Sequence, residues 1–255
     1  MIWDEFGCDI QKNELREPTS PLYVGMECEI EDITDHGQAN GLGWNITQDG
    51  SLRNNGHEYI SRAIPVPDAQ QLFKKLHGSI KVGNNDPFSQ RTSIHVHANC
   101  ANLTQKHVRD VVWLYALFEE AFFLMCKPDR RDNIHCTPLT ETYLPNIYCQ
   151  GLSNMVSRWH KYTALNLKPL TKQGTIEFRH MHGHNDEVLL SEWLLIIRNL
   201  FAAAKEKPLD ASLLDEENIR NYYGKIFGLS RLSDHYDLVR GMMSNQIIDL
   251  KLAVI

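Results

Sequence analysis

The chain has 255 residues with 26 Lys+Arg against 32 Asp+Glu, a formal net charge of −6, 42% hydrophobic and 23% charged residues. This composition excludes a disordered chain, a fibrous repeat and an integral membrane protein, and allows one sizeable core. The mild acidity argues against a broad nucleic-acid surface, which needs a basic face.

Residues 1–20 are polar and predict a loosely held N-terminal arm without the basic and apolar regions of a signal peptide. Leu22–Glu31 alternates with period two and predicts a strand. Residues 35–56 carry five glycines and several Asn and Asp, the composition of a loop or of a hairpin with turns. His57–Arg62 predicts a short strand. Pro67 opens a helix over about 68–80 with Leu72, Phe73, Leu76 and Ile80 on one side.

Arg91–Asn99 is another alternating strand, and Thr104 caps a helix over about 105–126. That helix holds Trp113, Phe118, Phe122 and Phe123, which predicts burial; its Glu119 and Glu120, and its length, exclude a membrane span. Residues 127–150 read as a long irregular loop, the kind of segment that often carries function. A helix over about 152–160 follows. Tyr162–Lys168 and Gly174–His180 form a strand pair. Asn185 caps a helix over about 186–206, and shorter helices finish the chain. Strands interleaved with helices, some at hairpin spacing, predict an α+β domain on a mainly antiparallel sheet. The six cysteines, including Cys149, show no C-x-x-C spacing, so a reducing, cytoplasmic compartment is expected.

Side chains two apart on a strand share a face. Met26, Cys28 and Ile30 point one way, and Glu27, Glu29 and Glu31 the other. Ile94, Val96 and Ala98 oppose Ser93, His95, His97 and Asn99. Ile176 and Phe178 oppose Thr175, Glu177 and Arg179, and Glu58 alternates with Tyr59. Taken singly, the glutamate row reads first as a solvated face and the Glu177/Arg179 pair as a surface ion pair. Taken together, three strands carry polar residues of one chemical kind. They predict a floor of carboxylates, imidazoles and a guanidinium suited to hard divalent cations and phosphate, with helices over the apolar side.

The blocks VGMECEIE, DGSLRNNGHEYIS, SIHVH, KYTALNL and GTIEFRH resemble, in this order over residues 22–200, the landmarks of the amidoligases of the glutamine synthetase-like carboxylate–amine ligase superfamily. The resemblance implies a glutamine synthetase-like catalytic domain over 21–206; it leaves the C-terminal helices unassigned, and these are expected as an extension over 207–255 packed on the same domain. It implies a concave antiparallel floor with ATP and two or more Mg²⁺ or Mn²⁺ ions above it. By the same resemblance Glu27, Glu29, Glu58, His95 and Glu177 hold metal, with Asp49 as a further acidic ligand or substrate contact. His97 contacts nucleotide phosphate, Arg179 steadies the transferring phosphate, and Lys161 and Asn166 belong to the ligand pocket. The implied reaction joins a small-molecule or peptide carboxylate to an amine through an acyl phosphate.

Three other readings stand beside it. One is an ATP-dependent phosphotransferase of the guanidino-kinase kind on the same sheet. Another is a zinc or iron enzyme built on His95 and His97. The third is an interaction protein without activity. His180, His182 and His184 alternate and could hold a transition metal, but a strand end or loop is the simpler reading. Gly37, Gly41 and Gly43 form at most a weak phosphate cradle. Arg130 and Arg131 read as a solvated pair, and Cys28 as a buried side chain rather than a nucleophile.

Overall fold

The computed structural model describes residues 1–18, 20–139 and 151–254. The elements in chain order are α1 (Ile2–Glu5), β1 (Tyr23–Ile30), β2 (Ile33–Asp35), β3 (Trp44–Gln48), β4 (His57–Ser61), β5 (Ile64–Pro65), α2 (Val66–Ser79), β6 (Lys81–Val82), β7 (Ser93–Asn99), α3 (Gln105–Leu124), α4 (Leu152–Arg158), β8 (Leu165–Asn166), β9 (Thr175–His182), α5 (Glu187–Glu206), α6 (Glu216–Phe227), α7 (Tyr236–Met242) and α8 (Ser244–Val254). Cys149 and much of the expected 127–150 loop lie outside the described residues.

One sheet has the order β3-β4-β1-β7-β9-β8, with β5 also on β1; every one of these pairings is antiparallel. This is the α+β architecture that the alternation predicts. Met26, Cys28, Ile94, Val96, Ile176 and Phe178 are buried on one face, in a core shared with α2, α3 and α5. Phe122 of α3 stacks on Phe178, and Trp193 of α5 meets both rings edge-on. Residues of α6, α7 and α8 join the same core.

Several local signals act as their chemistry requires. The Thr104 hydroxyl accepts from the His107 amide at the start of α3. For α5 the cap is Asp186, not Asn185: its carboxylate accepts from Val188 and Leu189. The glycine-rich 35–56 segment holds β3, hairpin partner of β4. Gly37 has φ +54°, and a Cβ there would lie 1.8 Å from the Ser79 carbonyl oxygen, so this glycine serves a turn rather than a phosphate cradle.

Three expectations are corrected. The arm is not loose. Ile2, Cys8 and Ile10 are buried, Ile2 and Trp3 donate to the carbonyls of Leu103 and Ala101, and the Arg16 guanidinium lies 4.7 Å over the Trp3 ring. Arg130 is buried rather than solvated, donating to the carbonyls of His180 and Arg179 at 2.9 and 2.6 Å. Arg131 pairs with Glu120. The alternation of His180, His182 and His184 fails because β9 carries a β-bulge: Ile94 faces Met181 but Val96 faces Phe178, so His95 stands opposite both Arg179 and His180. His180 keeps the core face of Ile176 and Phe178, where its Nε2 meets the Tyr115 hydroxyl at 2.7 Å, while the bulge brings Met181 into the core beside it and turns His182 to the other face opposite Ser93.

Candidate functional site: two carboxylate–imidazole groups between two clefts

The register of β1 assembles the site. Glu27 faces His95 across the β1–β7 ladder, and Glu29 faces Glu58 across β1–β4. His97 faces Glu177 across β7–β9. Residues far apart in sequence thus share the polar side of the sheet, opposite the helices.

Two groups result, each with ligand atoms within 4.8 Å of one another: Glu27, His95 and Glu177, and Glu29, Glu58 and His95. His95 Nδ1 lies 3.2 Å from Glu27 Oε2 and 3.3 Å from Glu177 Oε1. Its Nε2 lies 2.8 Å from Ser93 Oγ, which is 2.7 Å from Glu29 Oε2. A carboxylate only accepts, so the Ser93 hydroxyl donates to Glu29 and His95 Nε2–H donates to Ser93. That leaves Nδ1 to Glu27 and Glu177, and by the same rule it donates to them when no ion is bound. A cation held there takes the place of the Nδ1 proton, so His95 serves one cation at a time.

The remaining partners fix the carboxylates. Glu177 accepts from Asn166 Nδ2 at 2.6 Å and from Arg179. Arg179 also donates from Nε to the His135 carbonyl at 3.0 Å. His97 places Nε2 3.1 Å from Glu27 and Nδ1 3.0 Å from the Thr175 hydroxyl. Thr47 donates to Glu58 at 3.1 Å.

The electrostatics show crowding. Burial pushes the Glu27 carboxyl up, but hydrogen bonds and charge from His95 and His97 outweigh it, and its pKa falls well below the ordinary range. Burial pushes His97 down, but Glu27 pulls it up, and the net direction is up. Glu58 has no hydrogen bond from an imidazole, and the His95 charge is outweighed: burial, then the Glu27 charge, raise its pKa. A divalent cation supplies the positive charge that this set of oxygens and one nitrogen lacks, and the donor types suit Mg²⁺ or Mn²⁺.

Two clefts meet at these groups. One, of about 480 Å³, is lined by Glu29, Ser93 and His95 on the floor and by Arg91, Arg130, Tyr162 and Arg179 around it. The other, of about 230 Å³, starts at Glu27, His97 and Thr175 and runs past Gly25 to Tyr23, Ile60 and Leu15.

Expected site residues outside the two groups take other places. Asp49 lines the larger cleft, but its carboxylate accepts the Ser51 amide at 2.8 Å and joins neither group. Asn166 acts on Glu177, and the Lys161 ammonium lies 4.5 Å from the Tyr162 ring centre; neither lines these two clefts. Glu31 accepts the Arg53 amide at 2.7 Å, away from both groups. Cys28 faces the helices, and burial raises its thiol pKa beyond use as a nucleophile. His180, His182 and His184 form no metal group among the described residues. Arg91, Tyr162, Gly25 and Leu15 went unpredicted; of these only Gly25, inside an alternating strand, carried a signal.

Residues 40–199, more than half of the chain, match the family described as "Putative amidoligase enzyme". The chain belongs to this amidoligase family. The match starts after β1, so Glu27 and Glu29 enter the amidoligase site by geometry rather than by the matched segment. Among solved structures, a cryo-electron microscopy structure of glutamine synthetase from Plasmodium falciparum is similar at 10% identity and a TM-score of 0.36. The match covers 82% of the amidoligase chain, which spans 56% of that synthetase's length. No curated protein matches the amidoligase. Among the described residues no helix is long and apolar enough to cross a membrane.

Proposed function

We propose that this amidoligase joins a carboxylate to an amine at the expense of ATP, through an acyl phosphate. The observation that carries the reading is the arrangement of two carboxylate–imidazole groups that share His95, with Glu29, His95 and Arg179 lining one cleft and Glu27 lining the other. A carboxylate is a poor acyl donor because its leaving group would be oxide. Phosphorylation replaces that leaving group by phosphate, which an amine then displaces.

The cleft beside Glu27 and His97 takes the nucleotide, and the arginine-rich cleft beside Glu29 takes the acid. Divalent cations held by Glu27, His95 and Glu177, and by Glu29 and Glu58, would neutralise phosphate and developing charge. Arg179 reaches the transferring phosphoryl group, and Glu177 and the His135 carbonyl aim its guanidinium. Asn166 holds Glu177. The chain's own work is positioning and charge neutralisation.

The test measures ADP and inorganic phosphate with ATP, Mg²⁺, an acid and an amine. ADP release that needs all four, with phosphate released in equal amount, is expected. A phosphoryl group retained on the product would show a kinase instead. Full turnover in Glu177→Ala or Arg179→Ala would refute the scheme.

A further inference from the structure

The smaller cleft has a wall that comes from outside the sheet: Leu15, in the N-terminal arm. Ser93, His95, His97 and Asn99 alternate along one face of β7. Asn99 is therefore one pleat, about 6.6–6.8 Å, beyond His97. Its Nδ2 donates to the Leu15 carbonyl at 2.9 Å, and Asn102 Nδ2 holds the Glu17 carbonyl at 2.9 Å. The arm is anchored further back by buried Ile2, Cys8 and Ile10. So the strand that offers His97 toward one end of the cleft ties down the wall at the other end.

The floor between them is empty of side chains. On β1 the polar row runs Tyr23, Gly25, Glu27, Glu29. A Cβ on Gly25 would lie 3.9 Å from His97 Cβ and 4.0 Å from the Ser61 carbonyl oxygen, and its φ is not in the left-handed region. Neither crowding nor backbone conformation requires glycine there. What glycine leaves is open space above the strand, where a ligand can approach. Apart from His97, the lining carries no cationic side chain; Leu15, Tyr23, Ile60 and Ala63 suit an uncharged, flat group. The guanidinium groups line the other cleft.

We propose that the N-terminal arm is part of the nucleotide site, with Leu15 forming the wall against which the nucleobase packs over the Gly25 floor. This rests on the ATP reading above. Triphosphate would then reach from the Glu27–His95–Glu177 group past His97, and the base would lie where Asn99 pins the arm.

Calorimetric titrations in Mn²⁺ compare ATP with inorganic tripolyphosphate, which has no base. The full-length protein is expected to bind ATP at least tenfold more tightly. Leu15→Glu should remove that preference by weakening ATP alone, with tripolyphosphate affinity kept within twofold. Leu15→Ala should give a smaller loss in the same direction, and an unchanged Mn²⁺-dependent melting shift shows that each variant is folded. Equal affinity of the wild type for both ligands would overturn the proposal while leaving phosphate binding intact. So would an ATP preference that survives both substitutions. If neither ligand binds in Mn²⁺, the ATP reading itself falls and takes this proposal with it.

Discussion

Adding Mn²⁺ should stabilise the fold, and the size of the effect follows from the site. Glu27, Glu29, Glu58 and Glu177 bring four carboxylates together, against the guanidinium of Arg179 and the imidazoles of His95 and His97. An ion that binds the native site and not the unfolded chain adds RT ln(1 + [L]/Kd), about 2.7 kcal/mol at a hundredfold excess over Kd. For a chain of this size each kcal/mol moves Tm by about 2–4 °C. The expected rise is therefore about 5–11 °C, growing with the logarithm of Mn²⁺ concentration. The assay is thermal unfolding followed by fluorescence over a Mn²⁺ series, in wild type, Glu27→Gln, Glu58→Gln and the double variant. Each single change removes a ligand from one group and should reduce the shift; the double variant should lose it. The shift should also shrink as pH is lowered, because protons compete for the ligand atoms. No shift at millimolar Mn²⁺ in the wild type, or a full shift in the double variant, would refute the two-group reading.

Four further outcomes are expected. Arg179→Lys keeps a charge but loses the planar fork that spans Glu177 and the His135 carbonyl; ADP formation should drop by about a hundredfold or more while the Mn²⁺ melting shift stays. Gly37→Ala forces a side chain onto the Ser79 carbonyl at positive φ and should cost more than about 2 kcal/mol in urea unfolding. Tyr115→Phe strips a donor from buried Glu119 and a partner from His180, at about 1–3 kcal/mol in the same assay. Burial lowers the pKa of His77 and His182 to about 4 and of His184 to about 3, from 6.5. The unfolded chain then binds more protons, so stability falls as pH drops below 6.5 and levels off near the folded values. His77 alone should contribute about 2 kcal/mol of that loss by pH 5, and His77→Leu should flatten the acid limb of the urea midpoint against pH.

Much of the site was legible because strands write their faces into the sequence. Alternation in VGMECEIE, SIHVH and GTIEFRH separated the core side from the ligand side without any knowledge of pairing. It put Glu27, Glu29, His95 and Glu177 on the ligand side, and the resemblance to the amidoligases singled them out there. Register was not legible: that Glu29 meets Glu58, or Glu27 meets His95, depends on cross-strand alignment that no single strand encodes. The bulge in β9 defeated the simple period, since alternation cannot announce an inserted residue, and so His182 left the row it shares by count with His180. The arm was misjudged for a related reason. Its polar composition hid Ile2, Cys8 and Ile10, which find their partners at Leu103, Ala101 and Leu170, distant in sequence, only after folding. Arg130 likewise looked like a surface charge until two main-chain carbonyls of β9 took it inside.

That last contact ties the site to the interior. The extra residue in β9 leaves the carbonyls of Arg179 and His180 with Arg130, while His180 rests on Tyr115 of α3. Arg179 is thus aimed from beneath by a buried splint as well as from above by Glu177. Substitutions deep in α3, far from any bound molecule, would disturb the angle of that guanidinium before they disturbed the sheet, and such lesions would first be noticed as slow turnover in a protein that still melts normally.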